Sequence, residues 1–133
     1  MKSCVFYLSR TGNTKRLAQA IAEKLNAQIF DITNFDPVLV ANFDLLVIGT
    51  PVMGLGPAPE VSSFIKKLPD GTGKEVIVFC TFAFAKGGVL KTLEKELSAR
   101  NYKPILSVGK RGIKPDKSDF NDVLNEIKKV VKL

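Results

Sequence analysis

Two uninterrupted apolar runs, LLVIG at 45–49 and VIVFC at 76–80, constrain this chain more than anything else in it. A strand with one face in water alternates apolar and polar residues. A strand without that alternation is buried on both faces, as in a parallel sheet covered by helices. Helical stripes separate the apolar runs. Leu17, Ile21 and Leu25 recur at four-residue spacing with Ala18 and Ala22 beside them, which predicts an amphipathic helix. Further stripes run through Val61, Phe64, Ile65 and Leu68, and through Leu90, Leu93 and Leu97. The strongest takes in Phe120, Val123, Leu124, Ile127, Val130 and Val131, with Asp116 or Ser118 as its expected cap.

The expected strands are SCVFYL, AQIFDI, DLLVIGT, KEVIVFCTF and PILSV. Only TNFDPVLVANF, between the second and third, lacks a clear helical period and contains a proline. Strands alternating with helices predict an open, doubly wound α/β sheet with right-handed crossovers and helices on both faces. The length of 133 residues fits one domain over 1–133, with no repeat, linker or low-complexity tract.

Composition removes several function classes. There is no histidine, and the two cysteines, Cys4 and Cys80, lie in separate strand-like runs. Zinc sites and histidine-based catalysis are therefore not expected, and two buried thiols in a reducing compartment are. No apolar run approaches the ~18 residues of a membrane span and no signal peptide is evident, so the expected location is cytoplasmic. The formal charge is +7. Its lysines are scattered over amphipathic stretches without a nucleic-acid-binding signature, which reads as solvated helix faces that bias the choice of partner.

In a doubly wound sheet, ligands bind where strand order reverses, beyond the carboxyl ends of the strands. Three segments leave expected strand ends with unusual chemistry: SRTGNT at 9–14, TPVMGLGPAP at 50–59 and TFAFAKGG at 81–88. The first opens a helix, whose leading N–H groups lack helical partners and carry partial positive charge. Ser9, Thr11 and Thr14 add hydroxyls, Asn13 adds an amide, and Gly12 lets the backbone approach closely, together making a cup for a phosphate. Plain helix capping by Asn13 or Thr14 would use one polar residue where five stand in six positions. Five residues separate Cys4 from Arg10 and Thr11, the spacing of a phosphatase signature. Those residues, VFYLS, read as a buried strand, which would leave the thiol about 15 Å or more from the cup. A Gly-Lys-Ser/Thr nucleotide loop is absent.

SRTGNT resembles the S/T-x-T-G-N-T phosphate loop of the flavodoxins, whose ligand is flavin mononucleotide (FMN). The likeness extends over nearly the whole chain in element order, including GKRGIKPDKSDF before the last helix. The resemblance implies a five-stranded parallel sheet in the order 2-1-3-4-5. It places Ser9, Arg10, Thr11, Gly12, Asn13 and Thr14 around the phosphate. Thr50, Pro51, Val52, Met53 and Gly54 fall on one ring-binding loop, and Thr81, Phe82, Phe84 and Gly87 on the other. Met53 falls at the inner face of the ring, Phe84 at the outer face, and Phe82 either at the ring edge or in the core. In the family, the peptide after the inner-face residue turns its carbonyl to the central-ring nitrogen when that nitrogen gains a proton, which glycine at Gly54 would ease.

The sequence departs from the family in charge. Flavodoxins are typically acidic, and Leu55 and Gly56 stand where some relatives carry acids beside the ring. One missing negative charge at about 7 Å, with an effective dielectric of about 20, removes about 2 kcal/mol of repulsion against a reduced anionic flavin. A less negative second reduction step is expected. Arg10 and Lys86 near the mouth point to acidic partners or substrates. The resemblance implies a one-electron carrier between redox proteins, such as ferredoxin-like donors or flavoprotein reductases, as a monomer or weak dimer. The alternatives are an FMN-dependent quinone or flavin reductase and a flavin-free interaction module.

Overall fold

Strand β1, Ser3–Tyr7, is buried throughout and lies between two parallel neighbours, β2 (Gln28–Asp31) and β3 (Leu45–Met53). The computed structural model describes residues 2–10, 12–54, 56–83, 85–111 and 120–131. Outward from β3 come β5 (Glu75–Phe82) and β6 (Lys103–Arg111), both parallel. A two-residue strand, β4 (Gly56–Pro57), turns back antiparallel onto the end of β3. The expected five-stranded order 2-1-3-4-5 therefore reads β2-β1-β3-β5-β6. The five parallel strands keep the expected neighbours, and the hairpin strand adds a sixth and shifts the numbering.

Helices cover both faces. On one, α1 (Asn13–Leu25) and α4 (Asn121–Val130) pack Leu17, Ile21, Val123 and Ile127 against Val5, Val47 and Phe79. On the other, α2 (Pro59–Lys66) and α3 (Val89–Ser98) pack Phe64, Ile65, Leu93 and Leu97 against Phe6, Ile48 and Val78. Burying side chains of this size contributes about 1.5–3 kcal/mol each. The unbroken apolar runs are thus explained, because successive residues of β3 and β5 enter opposite cores.

Where the helical period fails, two 3-10 turns replace a helix, at Ile32–Asn34 and Pro37–Asn42. Asp31 and Asp36 start them by accepting from the N–H groups of Thr33 and Val38. Two other expectations change. The fifth expected strand, PILSV, is longer: β6 runs nine residues, past Gly109 and Lys110 to Arg111, with a bulge where Val76 pairs Pro104 and Ile77 pairs Leu106. In the last stripe only Val123, Ile127 and, beyond the helix end, Val131 are buried, whereas Val130 is 39% exposed. Phe120 occupies the N-cap of α4, and the expected caps Asp116 and Ser118 lie outside the described residues.

Candidate functional site

The chain passes from β2 back across β1 to β3, so strand order reverses between β1 and β3. That reversal opens the crevice in which this architecture binds ligands. β1 ends at Tyr7, whose neighbour in register is Gly49; one residue later begins the β3 end, Thr50 and Pro51, with Cys80 and Thr81 alongside on β5. The three chemically unusual segments therefore leave adjacent strands at one edge of the sheet.

In the first segment, Gly12 is the N-cap of α1, with φ +95°. A side chain is strained there, and the cap itself offers no side-chain acceptor. Ser9 supplies one from outside the helix: its Oγ accepts from the N–H of Gly12 at 3.0 Å and of Lys15 at 3.3 Å. Asn13 and Thr14 stand inside the first turn, so the capping alternative for them is corrected. Asn13 accepts through Oδ1 from the Arg16 guanidinium. Thr14 is 1% exposed, and its hydroxyl lies 2.6 Å from that of Thr81. This contact ties the cup to the end of β5.

Arg10 is exposed and turns away to Glu60, at the start of α2. Glu60's carboxyl is held below its ordinary 4.5 by a bond from its own backbone N–H and by Arg10. Arg10's charge at the mouth is accordingly offset. A groove of about 470 Å³ lined by Ile32, Phe35, Pro59, Glu60 and Phe64 lies beside this pair, and none of the described cup residues lines it. Thr11 lies outside the described residues.

The second segment is a hairpin. Val52 pairs with Pro57 and Met53 with Gly56, leaving Gly54 at the tip with φ +65°. Met53 beside it is 41% exposed. Pro51 and Val52 are half-buried. Thr50 is fully buried and closes the hairpin's base: its hydroxyl accepts from the Ala58 N–H at 3.0 Å and donates to the Pro51 carbonyl at 2.9 Å. Its part is to shape the loop.

In the third segment Thr81 is buried and Phe82 half-buried, packing against the core on the α2–α3 side. Gly87 is exposed with φ +55°. Phe84 lies outside the described residues. Two residues of this neighbourhood escaped the sequence reading: Glu60, a plain charge on a helical stripe, and Arg111, which closes β6 and reaches the Ala83 carbonyl. Nothing in their local patterns marks them, because each acts through a residue distant in sequence.

The thiols fit no nucleophilic role. Cys4 and Cys80 are both buried and free. Burial pushes the Cys4 thiol far up, against a small opposing pull from Lys74, and pushes Cys80 up to about 11 against Lys86. A phosphatase nucleophile needs a lowered value, and residues 5–7 after Cys4 are strand, not loop. Among the described residues no cluster of three metal-ligating side chains occurs, and no helix is long and apolar enough to cross a membrane.

An uncharacterized protein of Methanocaldococcus jannaschii is 30% identical over 105 residues, 77% of this chain and 69% of that protein. The structure of two-electron reduced Megasphaera elsdenii flavodoxin superposes with a TM-score of 0.80 at 20% identity, covering 97% of this chain and 99% of the other. A Lactobacillus acidophilus flavoprotein solved in complex with FMN superposes with a TM-score of 0.66 at 18% identity, over 81% of this chain and 92% of its own. Both structural likenesses concern the fold. The family model for the flavodoxin domain matches residues 4–96. That match runs from β1 into α3, takes in the cup and both flanking loops, and makes this chain a member of the flavodoxin family.

Proposed function

We propose that this protein binds FMN in the cup and between the two flanking loops, and carries single electrons between redox proteins. One observation carries the reading: the Thr14–Thr81 contact draws the anion-accepting start of α1 and one ring loop together at the β1/β3 crevice. The residues present fit the group. The first turn of α1, the Ser9 hydroxyl and the Asn13 amide suit a phosphate dianion without a bound cation. Exposed Met53 and half-buried Phe82 offer apolar surface on the two loops that flank the cup. That a relative of this fold was solved with FMN supports the choice of flavin.

FMN supplies the redox chemistry when bound. The chain's own part is to bind, orient and tune. Ser9, Gly12, Asn13 and Thr14 hold the phosphate, with Thr11 expected beside them. Thr50 and Thr81 brace the loops from beneath. Met53 and Phe82 exclude water from the ring, with Phe84 expected to join them. Gly54 gives the hairpin tip a peptide free to turn. With Arg10 offset by Glu60, exposed Lys86 and the positive balance of the chain favour acidic redox proteins as partners, in contrast to a typical flavodoxin, whose own surface is acidic.

The test is the visible spectrum of the purified protein after addition of FMN and desalting. Retained flavin bands, followed by two separable one-electron steps on titration, are the expected result. A protein that stays colourless overturns the reading in favour of the flavin-free interaction module. Steady NAD(P)H consumption with a quinone overturns the carrier role in favour of a reductase.

A further inference from the structure

Arg10 stands in the cup segment between Ser9, whose hydroxyl accepts from the Gly12 and Lys15 N–H groups, and the start of α1. Its guanidinium is nevertheless bound to the Glu60 carboxylate in the first turn of α2, fifty residues on. Glu60 belongs to a stretch, 25–65, that contains four acids and no lysine or arginine, in a chain of charge +7. The other three acids serve backbone N–H groups: Asp31 accepts from Thr33, Asp36 from Val38 and Asp44 from Lys2. Among the described residues Glu60 alone of the four takes a side-chain cation, and that cation comes from the segment expected to hold phosphate.

We propose that Glu60 is a positioning residue for phosphate capture: its carboxylate holds the Arg10 guanidinium outside the cup, and Arg10 leaves it for a phosphate bound there. The inference rests on the FMN reading above. The exchange is cheap, because the two side chains are 43% and 42% exposed and an ion pair in water holds weakly. Glu60 keeps a partner after Arg10 has left, since its carboxylate also accepts from its own backbone N–H at the positive end of α2. Phosphate is the better acceptor. A phosphate monoester carries more negative charge than a carboxylate, and its oxygens match both arms of the guanidinium fork. Arg10 then adds to the cup a full positive charge, which N–H groups and hydroxyls do not supply. A flavin without a phosphate offers Arg10 nothing and leaves the pair closed.

The experiment titrates the flavin-free protein with FMN and with riboflavin, followed by flavin fluorescence, in wild type, Glu60→Gln, Arg10→Gln and the double variant. Glu60→Gln should tighten FMN binding about two- to five-fold, the size of an exposed ion pair, and leave riboflavin unchanged. Arg10→Gln should weaken FMN binding about ten-fold, as loss of one charge-assisted bond does, again without effect on riboflavin. The double variant should match Arg10→Gln, because Glu60 acts only through Arg10. Carboxyl carbon NMR of wild type gives an independent readout: with FMN bound, Glu60 should titrate closer to its ordinary 4.5 than without it. If Glu60→Gln tightens FMN binding as much in the Arg10→Gln background, the carboxylate repels the phosphate directly and the proposal is overturned. A Glu60 titration that FMN leaves unmoved overturns it too, as does an Arg10→Gln variant with wild-type FMN affinity. Wild type that takes up no FMN overturns the FMN reading itself, and is seen before any variant is titrated.

Discussion

The hydroxyl oxygens of Thr14 and Thr81 lie 2.6 Å apart, joining the first turn of α1 to the end of β5 across 67 residues of chain. Both side chains are buried, so neither hydroxyl can turn to bulk water if the other is lost. Either one can be the donor.

Removing one partner should therefore be costly. Thr81→Val leaves the Thr14 hydroxyl buried and unpaired and should destabilise the fold by about 1–3 kcal/mol. Thr81→Ser should stay close to wild type. Urea unfolding measures this, and FMN titration of the same variants should show weakened uptake in Val alone. A Val variant equal to wild type in both would dissolve the link between cup and loop.

At the hairpin tip, Gly54 has φ +65°, and an added Cβ would meet nothing within 4 Å among the described residues. The cost of a side chain is then purely conformational, about 1–2 kcal/mol for the left-handed region. Gly54→Ala should lose that much stability in urea. If the turning peptide tunes the flavin, it should also change the separation between the two one-electron potentials. Stability equal to wild type would mean the tip does not hold this conformation.

Gly49 faces the ring of Phe79: a Cβ there would sit 2.0 Å from Phe79 Cζ, with two further ring atoms within 2.5 Å. Neither the strand nor the buried ring can give way cheaply. Gly49→Ala should cost about 1–3 kcal/mol by overpacking. In the Phe79→Leu background the added penalty should shrink. An additive double variant would show that the ring is not the obstacle.

Cys4 and Cys80 should resist iodoacetamide in the native protein at neutral pH and react fully once it is unfolded. With the Cys80 value raised from 9.0 to about 11, the folded state holds its proton where the unfolded state releases it. That contribution to stability is full below pH 9 and declines as pH rises through about 11. Thermal midpoints measured from pH 8 to 11 in wild type and Cys80→Ala should diverge. Rapid native alkylation at pH 7 would contradict the burial argument.

For Glu60 the sign is opposite. Its carboxylate is held below 4.5 by its own backbone N–H and by Arg10, so any stabilisation is present above that pH and is lost as pH falls through the lowered value. Arg10→Gln should move the Glu60 titration, followed by carboxyl carbon NMR, back toward 4.5. The pair is exposed, so the thermal midpoint should barely change. An unmoved titration would show that Arg10 does not hold the carboxylate.

The helices α1, α2 and α3 and the buried strands β3 and β5 were legible because each is written locally. A four-residue apolar period or an unbroken apolar run carries its meaning within a dozen positions. The hairpin strand β4 was not legible, since Gly56 and Pro57 have no strand character and pair only because Thr50 and Ala58 close the loop. β6 outran its apolar core for a related reason. Gly109, Lys110 and Arg111 are held in the strand by pairing with Cys80, Thr81 and Phe82, and not by their own pattern.

By itself the sequence determined which segments are buried and on how many faces, because apolar periodicity and hydrogen-bond need act along the chain. Tertiary structure alone decided what the polar groups at the sheet edge do with one another. It turned Arg10 to Glu60, set Thr14 against Thr81 and laid Arg111 over Phe82. Those pairings join positions dozens of residues apart. Only the crossing of strands and helices brings such groups within hydrogen-bond range, and the energy that selects a partner acts over a few ångströms of space.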